Sequence, residues 1–292
     1  MTVSVIIVNW NAGPALVACL TSCAAGAADR EIILVDNASS DGSVAAARAR
    51  HPGVRLVETG SNLGFAAGAN RGAAAAGGEV LVFLNPDARV APGALTALVD
   101  ALVLTPGAGI AGGALRDERG RWQPGWARFD PLAHLVLDTT PGRLASRFRR
   151  GPHRVDWVYG TFMAVRRDLF RQLDGFDARY FVYGEDIDLC YRAAQLGART
   201  IHVPAARAVH GANLSAAQRF GSGREAEVVK GEMRFYAARR GPRALRLFRT
   251  VAACKFSLKG ALAAATGRPA DLRTYGQVVR ACIGFDPREV PG

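Results

Sequence analysis

Two acidic segments in this chain carry the residue types needed for group-transfer chemistry. Asn85-Pro86-Asp87 directly follows the apolar block Val80–Leu84, which places Asp87 at a strand terminus. A carboxylate there suits Mg²⁺ or Mn²⁺, hard cations that take oxygen ligands and share them with substrate phosphates. The alternative role is a turn or an N-cap for a helix beginning near Pro92. Tyr183-Gly184-Glu185-Asp186-Ile187-Asp188 opens a predicted helix over 185–196 with three carboxylates in four residues. Acidic side chains stabilise a helix start through its dipole, yet three exceed what capping requires. Leu189 and Leu196 give this helix a buried face. Asp186 and Cys190 share one side and Asp188 points elsewhere. A carboxylate at a buried helix start beside a substrate can act as general base. His210, in Val209-His210-Gly211, can complete a metal shell dominated by oxygens. Asn62 to Arg71 is glycine-rich before a helix, as phosphate-cradling segments are, although it matches neither G-x-G-x-x-G nor the Walker pattern.

The elements that would position these groups alternate along the first hundred residues. Val3–Val8, Glu31–Val35, Val54–Val57 and Val80–Leu84 are short, β-branched-rich and bounded by Asn, Asp or Gly, as buried parallel strands are. Between them lie the predicted helices Pro14–Cys23, Gly42–Arg50 and Ala67–Ala76, with Ser40-Asp41-Gly42 as capping residues for the second. Strands alternating with helices indicate a doubly wound α/β sheet. Ligands bind such sheets beyond the carboxyl ends of the strands. Three of those four ends finish in Asn or Asp: Asn9-Trp10-Asn11, Asp36-Asn37 and Asn85-Pro86-Asp87. A single such residue is as well explained by turn formation; three converging on one sheet edge favour a polar ligand site. Gly112 to Val155 is weakly patterned, and regular elements resume at Trp157–Arg166, with a further strand at Thr200–Val203.

Composition bounds the rest. The 292 residues are 49% hydrophobic and 21% charged, enough for a sizeable core in one large domain or a domain plus an appendage. No apolar run reaches the length of a spanning helix, and Met1 to Trp10 reads as a strand of the fold and not as a signal peptide. Five scattered cysteines without metal-ligand spacing fit buried thiols in a reducing, cytoplasmic setting. The formal charge of +12 is uneven: residues 224–292 hold 14 Lys/Arg against 6 Asp/Glu, and 233–270 hold nine basic residues and no acidic one. An anionic partner is expected for that tail. Arg243, Arg246 and Arg249 fall on one helical arc and Leu247, Val251, Leu258 and Leu262 on another, flanked by Leu245, Phe248 and Phe256. This pattern suits either an interfacial helix at the inner face of an anionic membrane or a helix packed on the catalytic domain. No nucleic acid is expected, because interleaved stacking aromatics are lacking.

Taken in order, these segments resemble the family 2 glycosyltransferases, rhamnosyltransferase-like subgroup, across roughly residues 2–215. The resemblance rests on Val5 to Asn11, Leu34 to Gly42, Asn62 to Asn70, Leu84 to Asp87, Gly160 to Met163, Gly184 to Leu189 and His210. It implies a GT-A fold: a Rossmann-like mixed, mostly parallel sheet with helices on both faces. Here that fold would be followed by a basic helical extension over 216–292. The catalytic domain, 1–215, would divide into a nucleotide-sugar half near 1–110 and an acceptor half near 111–215. Asp36, with Asn9 beside it, would accept from a pyrimidine N3–H. Asp87 would ligate the metal with His210, and Asn85 stands where the family often has a further aspartate, removing one charge. Asp186 would be the base. Asn37, Asn62, Gly64, Asn70, Arg71, Asn85, Thr161 and Glu185 would be further substrate-binding positions, Arg71 neutralising diphosphate. With one base and no second carboxylate nucleophile, a single inverting displacement is expected. It would carry a sugar from a nucleoside-diphosphate sugar, dTDP-rhamnose or a UDP-hexose, to a hydroxyl of a lipid-linked or polysaccharide acceptor. A nucleotidyltransferase, or a nucleotide-sugar-binding protein without activity, stands as the alternative. The first usually shows a basic glycine-rich N-terminal loop, which Val8 to Gly13 lacks, and the intact Asp186 and His210 speak against the second.

Overall fold

A computed structural model describes residues 1–25, 30–130, 151–211 and 219–286. The first apolar block forms β1 (Val3–Asn9), buried along its whole length, between β2 (Arg30–Asp36) and β4 (Val80–Leu84), and β3 (Arg55–Glu58) lies outside β2. All four run parallel, with Asn9 opposite Asp36 at the carboxyl ends of β1 and β2. Alternation along the strands sends Ile6, Val8, Ile33, Val35, Leu81 and Phe83 into one core and Val5, Ile7, Leu34, Val82 and Leu84 into the other. Helix α3 (Gly64–Ala75) covers the first face. α1 (Pro14–Ala24), α2 (Ser43–Arg50) and α4 (Ala94–Leu104) cover the second. Strand order reverses across β1, which opens a crevice at its carboxyl end.

The sheet then becomes mixed. β11 (Phe162–Arg166) inserts antiparallel between β4 and β6 (Ala108–Arg116), and β12 (Arg199–His210) runs parallel to β6 and antiparallel to β5 (Ala88–Val90). Short strands β7 (Trp122–Gln123) and β9 (His153–Val155) border β6 and β12, while β8 (Trp126–Ala127) and β10 (Trp157–Val158) pair separately. The expected strand at Thr200–Val203 is corrected: β12 continues to His210. Pro204 falls within the register shift between Val203 and Arg207, where a proline costs no ladder bond. His210 therefore ends a strand, opposite Ala88, instead of following one.

After α5 (Arg167–Gln172) and α6 (Glu185–Gln195), the chain ends in α7 (Arg224–Phe235), a π-turn over Tyr236–Arg240, α8 (Gly241–Ala265) and α9 (Pro269–Gly284). Met233, Phe235, Tyr236, Phe248 and Phe256 join the same core as the first face of the sheet. On α8 the buried stripe is Leu245, Phe248, Ala252 and Phe256, while Leu258 and Leu262 of the other apolar arc are 73% and 65% exposed. Among the described residues, no helix is long and apolar enough to cross a membrane. The cysteines are free, four of them buried and Cys254 exposed. The remainder of the weakly patterned middle segment, 131–150, lies outside the described residues.

Candidate active site

A cavity of about 500 Å³ opens at the carboxyl ends of β1, β4 and β12 and runs under the start of α6. Asp186 lines it. Its Oδ2 accepts the Gly160 N–H at 3.0 Å and its Oδ1 accepts the Ile187 N–H at 2.8 Å, which fixes the carboxylate in place. Burial pushes its pKa up to about 6 against those two backbone donors, and the charge of Glu232 on α7 pushes the same way. Glu185 lines the same cavity and is buried at 5% exposure. Its Oε2 has no hydrogen-bond partner among the described residues, and burial, then the charge of Asp186, holds its carboxyl well above the usual range. The backbone here is held in an uncommon conformation. Tyr183 has φ 67° and Gly184 φ 95°, and a Cβ on Gly184 would lie 2.6 Å from the Gly231 carbonyl oxygen of α7. Such strain persists only where surrounding packing over-determines it.

Asp87 and His210 meet on the β4–β12 side of the cavity. Gln123 donates from Nε2 to the His210 carbonyl at 3.3 Å, which turns its Oε1 to accept the Nδ1–H of His210 at 3.0 Å. The His210 Nε2 faces Asp87 Oδ1 at 3.3 Å, with the Asn85 amide nitrogen 3.4 Å away. A carboxylate oxygen and an imidazole nitrogen side by side are ligand types that a divalent ion takes, so the pair fits such an ion. Among the described residues no third His, Cys, Asp or Glu joins them. A Mg²⁺ or Mn²⁺ ion held there would take its remaining ligands from water and substrate phosphate.

Of the other expected residues, Asn37, Asn62, Gly64, Asn85, Thr161 and Glu185 line the cavity. Asn37 is a scaffold as much as a ligand: its Nδ2 donates to Asn62 Oδ1 and to the Gly64 carbonyl, both at 3.0 Å, and its Oδ1 accepts the Leu63 N–H. Gly64 has φ 80°, and a Cβ there would lie 2.2 Å from the Phe181 carbonyl oxygen, so a side chain is excluded. Asn9 and Asp36 sit one residue behind the lining residues Trp10 and Asn37. Asn9 donates to the hydroxyls of Ser39 and Ser43 at 2.9 Å, and Asp36 accepts the Ser39 N–H at 3.1 Å. Asn70 and Arg71 are not brought to this cavity. Asn70 exchanges two hydrogen bonds with the backbone of Phe176, and Arg71 is exposed on α3 because its neighbours Asn70 and Gly72 take the inward face.

A family model described as Glycosyl transferase family 2 matches residues 4–174. The chain belongs to that family. It is 35% identical over 230 residues to the N-acetylglucosaminyl-diphospho-decaprenol L-rhamnosyltransferase of Mycobacterium tuberculosis, a match covering 70% of this chain and 75% of the relative. It is 52% identical over 56 residues to Rhamnosyltransferase WbbL of Escherichia coli, covering 19% of this chain and 21% of that protein. The mannosyltransferase PcManGT of Pyrobaculum calidifontis, solved with GDP-Man and Mn²⁺, superposes with a TM-score of 0.61 at 21% identity, over 97% of this chain and 86% of that one. This family 2 glycosyltransferase thus has the GT-A fold expected from its motifs. Sequence reasoning missed Gln123, which lies in the weakly patterned middle with no periodicity to mark it. It also missed Glu232 and the rest of the α7–α8 wall, whose helical spacing names no neighbour.

Proposed function

We propose that the chain transfers rhamnose from dTDP-rhamnose, with inversion, to a hydroxyl of a lipid-linked diphospho-sugar. The observation that carries this reading is one cavity holding both a fixed, partly desolvated carboxylate and a facing Asp–His pair. The acceptor hydroxyl attacks the anomeric carbon as its proton passes to Asp186. The bond from that carbon to the diphosphate breaks, and its electron pair leaves on the phosphate oxygen. Asp87 and His210 would hold Mg²⁺ or Mn²⁺, which when bound neutralises charge on the departing diphosphate. Asn37, Asn62, Asn85 and Thr161 would orient the donor, supported from behind by Asn9 and Asp36. Glu185, kept neutral, would donate to a sugar hydroxyl. Residues 1–110 form the donor half, 111–215 the acceptor half, and 216–292 the extension. The named acceptor of the M. tuberculosis relative supports the acceptor class. Incubation with dTDP-rhamnose, Mn²⁺ and N-acetylglucosaminyl-diphospho-polyprenol should yield the rhamnosylated lipid. No product with any nucleotide sugar would refute the proposal.

Gln123 fixes the tautomer of His210, and such outer partners contribute about 10–100-fold to metal affinity. Gln123→Ala should therefore weaken Mn²⁺ binding by about that factor in a titration followed by electron paramagnetic resonance. Wild-type Mn²⁺ affinity in this variant would remove His210 from the metal site.

The enzyme would work on the cytoplasmic face of the membrane, with 233–270 against an anionic leaflet. Support comes from exposed Leu258 and Leu262, from Arg243 and Arg246 exposed on the same helix, and from the lack of any acidic residue in the segment. Flotation with phosphatidylglycerol vesicles at low salt, lost at high salt, is the expected outcome. Absence of flotation at low salt would leave the helix a packing element only.

A further inference from the structure

The cavity that contains Asp186 does not end at the catalytic motifs. Its far wall is built by the C-terminal helices: Val228 and Val229 of α7, and Phe248, Ala252 and Phe256 of α8. Phe248 and Ala252 are fully buried behind this wall, Phe248 stacked on Tyr236 at a centroid distance of 4.6 Å, whereas Val229 and Phe256 edge the core and Val228 is half-buried. Cations rim the same space. Lys255 lines it from α8, its Nζ 5.5 Å from the Phe256 ring centre. Arg219 lies over the Phe181 ring at 4.2 Å, and Arg224 reaches the Tyr183 hydroxyl at 3.3 Å, so both border the loop that leads into Asp186. Two acids share this wall. Glu232 stands close enough to Asp186 to raise its pKa, and Glu225 bears on Tyr275 of α9. An apolar wall rimmed by three cations, one cavity with the base, is complementary to a diphosphate joined to a hydrocarbon stem.

The geometry points to an acceptor subsite on the extension, in which Lys255, Arg219 and Arg224 hold the acceptor's diphosphate while Val228, Val229 and Phe256 receive the first isoprenoid units. This subsite rests on the lipid-linked reading of the acceptor given above. It gives the extension a binding role separate from any membrane contact, because the residues involved face the cavity and Leu258 and Leu262 face outward. It also fits the close backbone approach of Gly184 and Gly231, which locks α7 to the catalytic loop.

Farnesyl diphosphate, a short soluble probe, should bind the full chain in calorimetry with dTDP and Mn²⁺ present to fill the donor site. Farnesol and inorganic diphosphate should each bind more weakly, since each offers half of the complementary chemistry. Lys255→Met keeps the stem and removes the charge. It should weaken farnesyl diphosphate about tenfold or more, the range of a charge-assisted contact, and leave dTDP affinity unchanged. Equal affinity in wild type and variant, or binding of inorganic diphosphate as tight as farnesyl diphosphate, would overturn the subsite. Transfer to a neutral N-acetylglucosamine glycoside with no farnesyl diphosphate binding would overturn the subsite and keep the glycosyltransferase reading. Loss of both binding and transfer to every acceptor would overturn the two together.

Discussion

Asp186→Asn should lower the transfer rate by at least 10²–10⁴-fold, the usual worth of general-base help, while dTDP-sugar binding in a thermal-shift assay persists. The amide keeps the shape of the carboxylate but cannot take the hydroxyl proton. In the wild type, a base pushed up to about 6 by burial predicts an acid limb. The rate should be half its plateau near pH 6 and fall about tenfold per pH unit below. Glu232→Gln removes a like charge from that neighbourhood, so the limb should move to lower pH. The effect on stability has the opposite sense from that of a salt-bridged carboxylate. Between the ordinary Asp pKa and about 6 the folded chain holds a proton that the unfolded chain has released. The contribution of Asp186 to stability therefore declines as pH rises through that window. At pH 8 the Asn variant should melt no lower than the wild type. A variant that retains full activity would dismiss Asp186 as the base. A lower melting temperature at pH 8 would make it a structural residue.

The strand-end logic leads to much of this cavity because it depends on topology and not on any one residue type. Asp36, Asn37, Asn85 and Asp87 follow apolar blocks whose β-branched composition leaves little choice of element, and the crevice then falls at their carboxyl ends. Where reasoning stopped short, the cause is a long-range contact. Pro204 hid the second half of β12, because a proline reads as a strand breaker until its register shift is seen. The resemblance gives Arg71 a role in neutralising diphosphate, yet a helix has a back. Its neighbours Asn70 and Gly72 take the inward face. On α8 both apolar arcs are visible in the sequence, but only the partner surface decides which is buried. Phe248 and Phe256, which flank the Leu247–Leu262 arc in the helical spacing, are the centre of the buried stripe. Glu185 and Asp188 show the same limit: three neighbouring acids have one spacing signature and three separate environments.

Asp188→Asn should be the most destabilising single change in the α6 region, at about 3 kcal/mol. Asp188 is fully buried, and its two oxygens each accept a guanidinium Nε–H at 2.6 Å, from Arg192 one turn on and from Arg239 in the π-turn. Arg192 also donates to the Gly175 carbonyl at 2.8 Å, and Arg239 pairs with Asp177 at 3.2 Å. One carboxylate thus ties α6, the loop before it and the C-terminal helices into a single unit. Removing the charge leaves two guanidinium groups facing a neutral amide. Breaking a buried pair in this way costs about 3–5 kcal/mol. The lower end applies because Arg239 is 26% exposed and can recover some hydration. At about 2–4 °C per kcal/mol for a domain of this size, the melting temperature should fall by roughly 6–12 °C. A pair this buried is weakly screened, so the loss should persist at high ionic strength. Arg239→Met in the Asp188→Asn background should recover part of it, because the unpaired cation goes too. A melting temperature equal to wild type would show that the extension is held by its apolar contacts alone. Full additivity of the two substitutions would place Asp188 and Arg239 outside a shared network.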